Sequence, residues 1–431
     1  MSCFTIREHR VPASYIREYP HALANDQEEQ LYLAVKQYIP LENKKEDKRT
    51  PCTIIGAHAN AFNKELYEPL WEDLIKESEK HNYRIVSIWI ADVAHQGESS
   101  VINEDKLGND PGWYDHPRDL TYLINLKRNE MPRPIFGLGH SMGGNNLVNV
   151  ALFNPRLFTS LVLLDPVIQQ RTAEIAPPGM ENAPSSVAKL STFRRDIWPS
   201  RAEAAKLFAK SPFYKKWDKR VLDRWIEYGL RDCPTALHPE AQSPQVTLTT
   251  SVANEVHTFL RPNYEGYGAE NPEKKINRYT HPDIVANMRY NYPFYRSEGP
   301  RTFARLPEVR PSVLYIFGSE SDVSGDEFNN AKLKTTGVGV GGSGGQAEGR
   351  VKGVTLEGVG HLIAMEAVER TAAETSNWIE SEVERWRREE EDWQRNWKTK
   401  SLREKQDVDE KWKAMMGGDP RAKKRQKDTK L

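Results

Sequence analysis

The chain has 431 residues, and its 61 Lys and Arg balance 61 Asp and Glu, so the formal net charge at pH 7 is zero. That excludes a strong global pull toward nucleic acid or an anionic membrane, though not a local basic patch. Hydrophobic residues at 38% and aromatic residues at 10% are enough to bury an ordinary core, and the length fits two domains or one enlarged by an insertion.

In the first forty residues one alternating segment, Leu31 to Tyr38 (LYLAVKQY), reads as a strand, and a charged loop over Leu41 to Arg49 follows. CTIIGAH, from Cys52 to His58, is a short apolar run ending in small residues and a histidine. Leu66, Leu70, Leu74 and Ile75 then fall at helical spacing within Lys64 to Lys80. Tyr83 to Ile90 (YRIVSIWI) is β-branched and aromatic and reads as a strand. Pro117 to Lys127 reads as a helix, with proline near its start, where a missing N–H costs little. Arg133 to Leu138 follows as a strand, Met142 to Phe153 as a helix and Thr159 to Leu164 as a strand. Continuously apolar strands alternating with helices predict an α/β fold with a mostly parallel sheet covered on both faces. The pattern breaks from about 168 to 300, where proline-rich joints separate amphipathic helices, one opened by Ser200 with Glu203 as its capping-box partner. Ser312 to Phe317 and Val351 to Leu356 resume the sheet, and a final helix runs from about Ala364 through the 390s. The expected organisation is therefore 1–167 and 301–380 as two parts of one core, 168–300 as an inserted helical cap, and 381–431 as a helical extension with a basic tail.

Gly139-His140-Ser141-Met142-Gly143 matches G-x-S-x-G, the strand-to-helix turn that exposes a serine above the carboxyl ends of a parallel sheet. Its context is met as well, with Ile135 and Phe136 in the preceding strand and Asn145 to Ala151 in the following helix. The chain thus resembles the α/β-hydrolases over about residues 30 to 380, which makes Ser141 the expected nucleophile. That fold orders its triad Ser, acid, His, so the base must follow Ser141. Of the eleven histidines only His238, His257, His281 and His361 do so, and the first three fall in the insert. His361, in Gly358-Val359-Gly360-His361, sits between the last strand and the last helix, where the fold places its base. Two acids compete: Asp165, which ends the strand after the nucleophile helix, and Asp322, which follows the next-to-last strand at the commoner position. One oxyanion donor is expected from the N–H of Met142, and the other from the loop Ala57-His58-Ala59-Asn60-Ala61.

A closer resemblance is carried by IREYP (Ile16 to Pro20), KELYEPLW (Lys64 to Trp71), IWIADVA (Ile88 to Ala94), NEDKL (Asn103 to Leu107), MPRP (Met131 to Pro134), PRLFTSLVLLDPVIQ (Pro155 to Gln169), GGSGG (Gly341 to Gly345) and GHL (Gly360 to Leu362). Together these are very similar to a fungal group that contains the peroxisomal acyl-CoA hydrolase of mycophenolic acid biosynthesis and hydrolases of toxin gene clusters. The resemblance implies Asp165 as the acid, with Asp322 as the alternative. It also implies the N–H of Asn60 as the second oxyanion donor, with Ala59 one register away, although this loop carries alanines where related chains are glycine-rich. The implied substrate is the CoA thioester of a secondary-metabolite intermediate, released as the free acid. An ester-cleaving lipase or carboxylesterase with the same triad is the alternative chemistry. A catalytically silent binding protein of the same fold is the alternative class.

Other features are read more plainly. Gly337-Val338-Gly339-Val340-Gly341-Gly342 matches G-x-G-x-x-G but opens no helix after a strand, so it is a glycine-rich loop. Asp92 with His95 has no partner cluster for a metal, His58 is expected to brace its loop, and no cofactor is implied. Trp378, Trp386, Trp393 and Trp397 recur at near-helical spacing and read as a packing stripe, with a homodimer through the last helices as one use of it. Cys3, Cys52 and Cys233 form no disulfide framework or zinc spacing, which fits a reducing compartment. No secretory signal opens the chain, and no apolar run approaches the ~20 residues of a membrane span. After the basic run Arg421 to Lys427, Thr429-Lys430-Leu431 resembles the S-K-L peroxisomal address read by an import receptor, with Thr as a departure. The expected location is the peroxisome, with the cytoplasm as the alternative.

Overall fold

A computed structural model describes residues 3–41, 47–170, 186–269, 271–284 and 293–418. Its central sheet has eight strands: β1 (Phe4–Pro12), β2 (Tyr32–Pro40), β3 (Thr50–Ala57), β4 (Tyr83–Ala91), β5 (Ile135–His140), β6 (Ser160–Leu164), β7 (Ser312–Gly318) and β8 (Val351–Leu356). They lie in the order β1-β2-β4-β3-β5-β6-β7-β8. β1 pairs antiparallel with β2 and β2 antiparallel with β4, while every pairing from β4 to β8 is parallel. The register sets Ala57 beside Gly139, His140 beside Leu164, and Leu164 beside Ile316. The carboxyl ends of β3, β5, β6 and β7 therefore share one edge, where ligands bind in open α/β sheets.

The long helices are α1 (Glu68–Ser78), α2 (Asp115–Lys127), α3 (Met142–Phe153), α4 (Asp326–Thr335) and α5 (Val368–Trp393). β5 and β6 are buried along their whole length, and α3 is buried from Met142 to Ala151. This explains why the two strands show apolar runs and why all three segments show little amphipathic alternation. Ile55, Trp89, Leu147, Leu161 and Tyr315 belong to one apolar cluster, and truncating a side chain such as Leu147 costs about 2–5 kcal/mol.

β1 departs from the sequence expectation, which placed a single strand in the first forty residues. It is an edge strand in which only Phe4 and Val11 are buried. Its charged, solvent-facing residues mask the alternation that marks a half-buried strand. The insert is also less purely helical than expected. It carries the helices Arg201–Lys210, Lys219–Tyr228 and Val252–Phe259 together with a three-stranded sheet of Ile197–Trp198, Leu230–Asp232 and Val246–Leu248. The Ser200 hydroxyl accepts from the Glu203 N–H at 3.2 Å, but the Glu203 carboxylate pairs with Lys206 at 2.6 Å instead of returning to Ser200. Only half of the expected capping box forms.

The chain divides into two compact units, Met1–Glu382, which contains the insert, and Val383–Leu431. In the first, Trp378 is buried and its indole N–H donates to Ser160 Oγ at 2.7 Å. In the second, Trp393 and Trp397 are 44% and 42% exposed. The second unit also holds the short helices Leu402–Gln406, opened by a Ser401–Glu404 capping box, and Glu410–Met415. Among the described residues no helix is long and apolar enough to cross a membrane. Residues 42–46 of the charged loop, the basic run and Thr429-Lys430-Leu431 lie outside the described residues.

Candidate active site

The turn between β5 and α3 is tight. Ser141 has φ 56° and ψ −117°, a strained region for a residue with a Cβ. The surrounding backbone fixes it: its N–H donates to the Leu164 carbonyl at 2.9 Å, and its own carbonyl accepts from the Val167 N–H at 3.2 Å. The two motif glycines are required by close approach. A Cβ on Gly139 would lie 2.6 Å from the Gly143 carbonyl oxygen, and one on Gly143 would lie 2.1 Å from the Ala57 carbonyl oxygen.

The sheet edge brings three of the expected residues together. His361 Nε2 lies 2.9 Å from Ser141 Oγ, and His361 Nδ1 lies 2.6 Å from Asp165 Oδ2. A carboxylate only accepts, so Nδ1 carries the proton and Nε2 is free to accept from the serine hydroxyl. Asp165 is fully buried and has a left-handed φ of 42°. The Ser321 hydroxyl donates to its Oδ2 and the Ser324 hydroxyl to its Oδ1. Asp322 is exposed and contacts neither His361 nor Ser141. Two histidines of the insert have other partners: His238 lies 3.2 Å from Asp196, and His281 Nε2 lies 3.1 Å from the Pro262 carbonyl.

The loop after β3 is held by a network that the sequence reading missed. The Ala59 N–H donates to the Tyr67 hydroxyl at 2.8 Å, and the Ala61 N–H donates to Gln96 Oε1 at 2.8 Å. The Asn60 side chain donates to the Glu255 carbonyl and accepts from Gln96. Among the described residues the backbone N–H of Asn60 has no acceptor, whereas that of Ala59, the alternative register, is engaged by Tyr67. Met142 opens α3, where the first N–H groups have no acceptor within the helix.

The same network reaches His361. His140 Nδ1 lies 2.9 Å from the Tyr67 hydroxyl, and His140 Nε2 lies 3.0 Å from the His361 carbonyl. The carbonyl can only accept, so Nε2 bears the proton and Nδ1 accepts from Tyr67. Burial, and then the neighbouring His361, push His140 down to about 3, so it is neutral at ordinary pH. A hydrogen-bonded line therefore runs from the Ala59 N–H through Tyr67 and His140 to the backbone of His361. Tyr67 lay inside a segment read as a helix and as part of the resemblance, with no role assigned to its hydroxyl. His58 is likewise lowered by burial: its Nδ1–H donates to the Ala59 carbonyl, while Nε2 accepts from the Val93 N–H at 2.9 Å.

Around the serine, Val93, Trp113 and Met142 form a small apolar cluster with Val167. Asp92 accepts from Lys64 Nζ at 2.6 Å and from the backbone N–H groups of Lys64 and Glu98. Those donors satisfy it within the protein, and no group of His, Cys, Asp or Glu suited to a metal ion occurs among the described residues. Cavities of about 380 and 600 Å³ share Arg231, Leu237, Ser251, Ala253 and His257 in the insert, and neither includes Ser141.

Residues 54–374 match the alpha/beta hydrolase family. The chain belongs to that family, as its sheet order and its strand–serine–helix turn require. It is 40% identical over 402 residues to the type I acyl-CoA thioesterase mpaH of Penicillium roqueforti (strain FM164), covering 88% of each chain. It is 27% identical over 253 residues to the abhydrolase domain-containing protein AKT2 of Alternaria alternata, covering 58% of this chain and 85% of that one. Among solved structures, the peroxisomal alpha-beta-hydrolase Lpx1 of Saccharomyces cerevisiae superposes with a TM-score of 0.66 at 17% identity, covering 100% of this chain and 99% of that one.

Proposed function

We propose that the protein is a serine hydrolase that cleaves the CoA thioester of a secondary-metabolite acid, with Ser141 as nucleophile, His361 as general base and Asp165 as the acid. The reading is carried by the hydrogen-bonded line from Ser141 Oγ to His361 at 2.9 Å and from His361 to Asp165 at 2.6 Å. Its substrate class is supported by the 40% identity to an acyl-CoA thioesterase. Ser141 Oγ attacks the thioester carbonyl as its proton passes to His361 Nε2. The N–H groups of Asn60 and Met142 receive the oxyanion, and Asp165 stabilises the imidazolium. The carbon–sulfur bond then breaks, and the proton on His361 goes to the departing sulfur. Water next gives a proton to the same nitrogen and attacks the acyl-enzyme, which releases the free acid and restores Ser141. A thiol of pKa ~8.5 leaves far more readily than an alcohol, so the leaving group places little demand on the acid.

The decisive comparison offers one acyl group as its CoA thioester and as an oxygen ester. Preference for the thioester, abolished in Ser141→Ala, is expected; preference for the oxygen ester would move the protein to the lipase and carboxylesterase side. The proposal also places the protein in peroxisomes through Thr429-Lys430-Leu431. A fluorescent fusion should be punctate with the tripeptide and diffuse without it; identical distributions would remove that address.

A further inference from the structure

In the common arrangement of this fold the loop after β7 supplies the triad acid. Here that loop, from Gly318 to Ser324, supplies two hydroxyls to an acid carried by β6. We propose that Ser321 and Ser324 are positioning residues of the hydrolytic site, which hold the Asp165 carboxylate turned toward His361 Nδ1. This rests on the reading of Ser141, His361 and Asp165 given under the proposed function.

The need for such a clamp follows from the place of Asp165. It is fully buried, it follows the last residue of β6 with a positive φ, and its N–H donates to the Ile316 carbonyl at 2.8 Å. A buried carboxylate is costly unless its oxygens receive donors. His361 serves Oδ2 alone; without the two hydroxyls Oδ1 would have no donor and the carboxylate could rotate away from the imidazole. Ser321 shares Oδ2 with His361, and Ser324 fixes Oδ1.

The loop is built to present these groups. The Gln169 side chain, which follows β6, donates to the Val323 carbonyl at 2.6 Å, and the Val323 N–H donates to Ser321 Oγ at 3.2 Å. On its other side the Glu320 N–H donates to the Val359 carbonyl at 2.9 Å. A Cβ on Gly318 would lie 2.3 Å from the Gly360 carbonyl oxygen. The loop is therefore stitched both to the segment that carries Asp165 and to the segment that carries His361. Among the described residues, the charged and titratable groups around this pair include Glu366, which accepts from the Gly360 N–H at 2.9 Å. Lys332, buried on α4, pulls electrostatically on Asp165, and neutral His140 lies beside His361.

Hydroxyls that donate to a carboxylate share its negative charge. Removing them leaves more of that charge facing the imidazole, which favours imidazolium and raises the pH at which the base loses its proton. A merely structural loop would not move that pH. The test is the rate at which a fluorophosphonate probe labels Ser141, measured from pH 5 to 9 in the full chain. The variants are Ser321→Ala, Ser324→Ala, the double variant, Ser324→Thr and Asp165→Asn. Each hydrogen bond to a charged group is worth roughly a tenfold rate factor. The double variant is therefore expected to label up to ~100-fold more slowly, with its acid limb moved to higher pH. Ser324→Ala should move the limb the same way, and Ser324→Thr should stay near wild type. An unmoved limb in both the double variant and folded Ser324→Ala, whatever the rate, overturns the clamp. Wild-type labelling in Asp165→Asn would instead remove the reading beneath it, so the two failures are separate.

Discussion

Replacing Gly143 by alanine tests how firmly the nucleophile turn is locked to the loop after β3. The added Cβ would sit 2.1 Å from the Ala57 carbonyl oxygen, 2.4 Å from its carbon and 2.7 Å from the His58 carbonyl oxygen. All three are backbone atoms, so no side-chain rotation relieves the overlap. Carbon and oxygen come to rest at about 3.3 Å, so α3 and the loop must separate by roughly 1.2 Å. The Met142 N–H rides on α3 and the Asn60 N–H on that loop, so the two proposed oxyanion donors move apart by a similar amount. A misplacement of ~1 Å can cost ~100-fold in rate, comparable with losing one oxyanion donor, about 3 kcal/mol. We expect kcat for acyl-CoA hydrolysis, followed by thiol release, to fall ~100-fold, with KM changed little. Gly299→Ala is the control, since its new Cβ meets nothing nearer than 3.7 Å. A folded Gly143→Ala enzyme with kcat close to wild type would refute this account of the turn.

Other expectations follow from the buried polar network. Tyr67→Phe orphans the buried Ala59 N–H and His140 Nδ1, at about 1–3 kcal/mol each; denaturant unfolding should show it, and an unchanged midpoint would contradict the network. Acid should unfold the protein early. Burial depresses His116 and His140 to about 3 and lowers His58 and His95 as well. From about pH 6.5 down to about 3 the unfolded chain therefore binds protons that the folded chain refuses, so stability rises with pH through this window and is lost as pH falls. Each such histidine contributes up to ~1.4 kcal/mol per pH unit. Glu18, raised to about 7 by burial and Glu298, works in the opposite sense and offsets about one of them. The unfolding free energy should drop between pH 6 and 5, and a flat profile there would show that these imidazoles are not buried neutral.

The fold class was legible because β3, β4, β5, β6 and β7 carry mostly apolar runs and the turn glycines flank Ser141 in the expected strand-to-helix context. β1 was not, since an edge strand with two buried side chains carries almost no periodic signal. Ser141 and His361 could be nominated from chain order. The acid could not be chosen from local sequence, because Asp165 and Asp322 both follow apolar strands. What separates them is three-dimensional: one is buried against His361, and the other faces solvent. The roles of Tyr67, Ser321 and Ser324 depend on contacts across 156 residues of sequence for Ser321–Asp165 and 73 for Tyr67–His140, which no spacing rule reveals. The half-formed cap at Ser200 shows the reverse case, where a valid local motif lost its second bond to a competing lysine.

The most direct test of the proposed function is kcat/KM for one acyl-CoA thioester in wild type, Ser141→Ala, Asp165→Asn and Asp322→Asn. The account predicts that hydrolysis disappears in Ser141→Ala, falls by ~10⁴-fold in Asp165→Asn, where the imidazole loses its orienting carboxylate, and stays at the wild-type level in Asp322→Asn. Hydrolysis that survives in Ser141→Ala, or that is lost in Asp322→Asn and kept in Asp165→Asn, would contradict it.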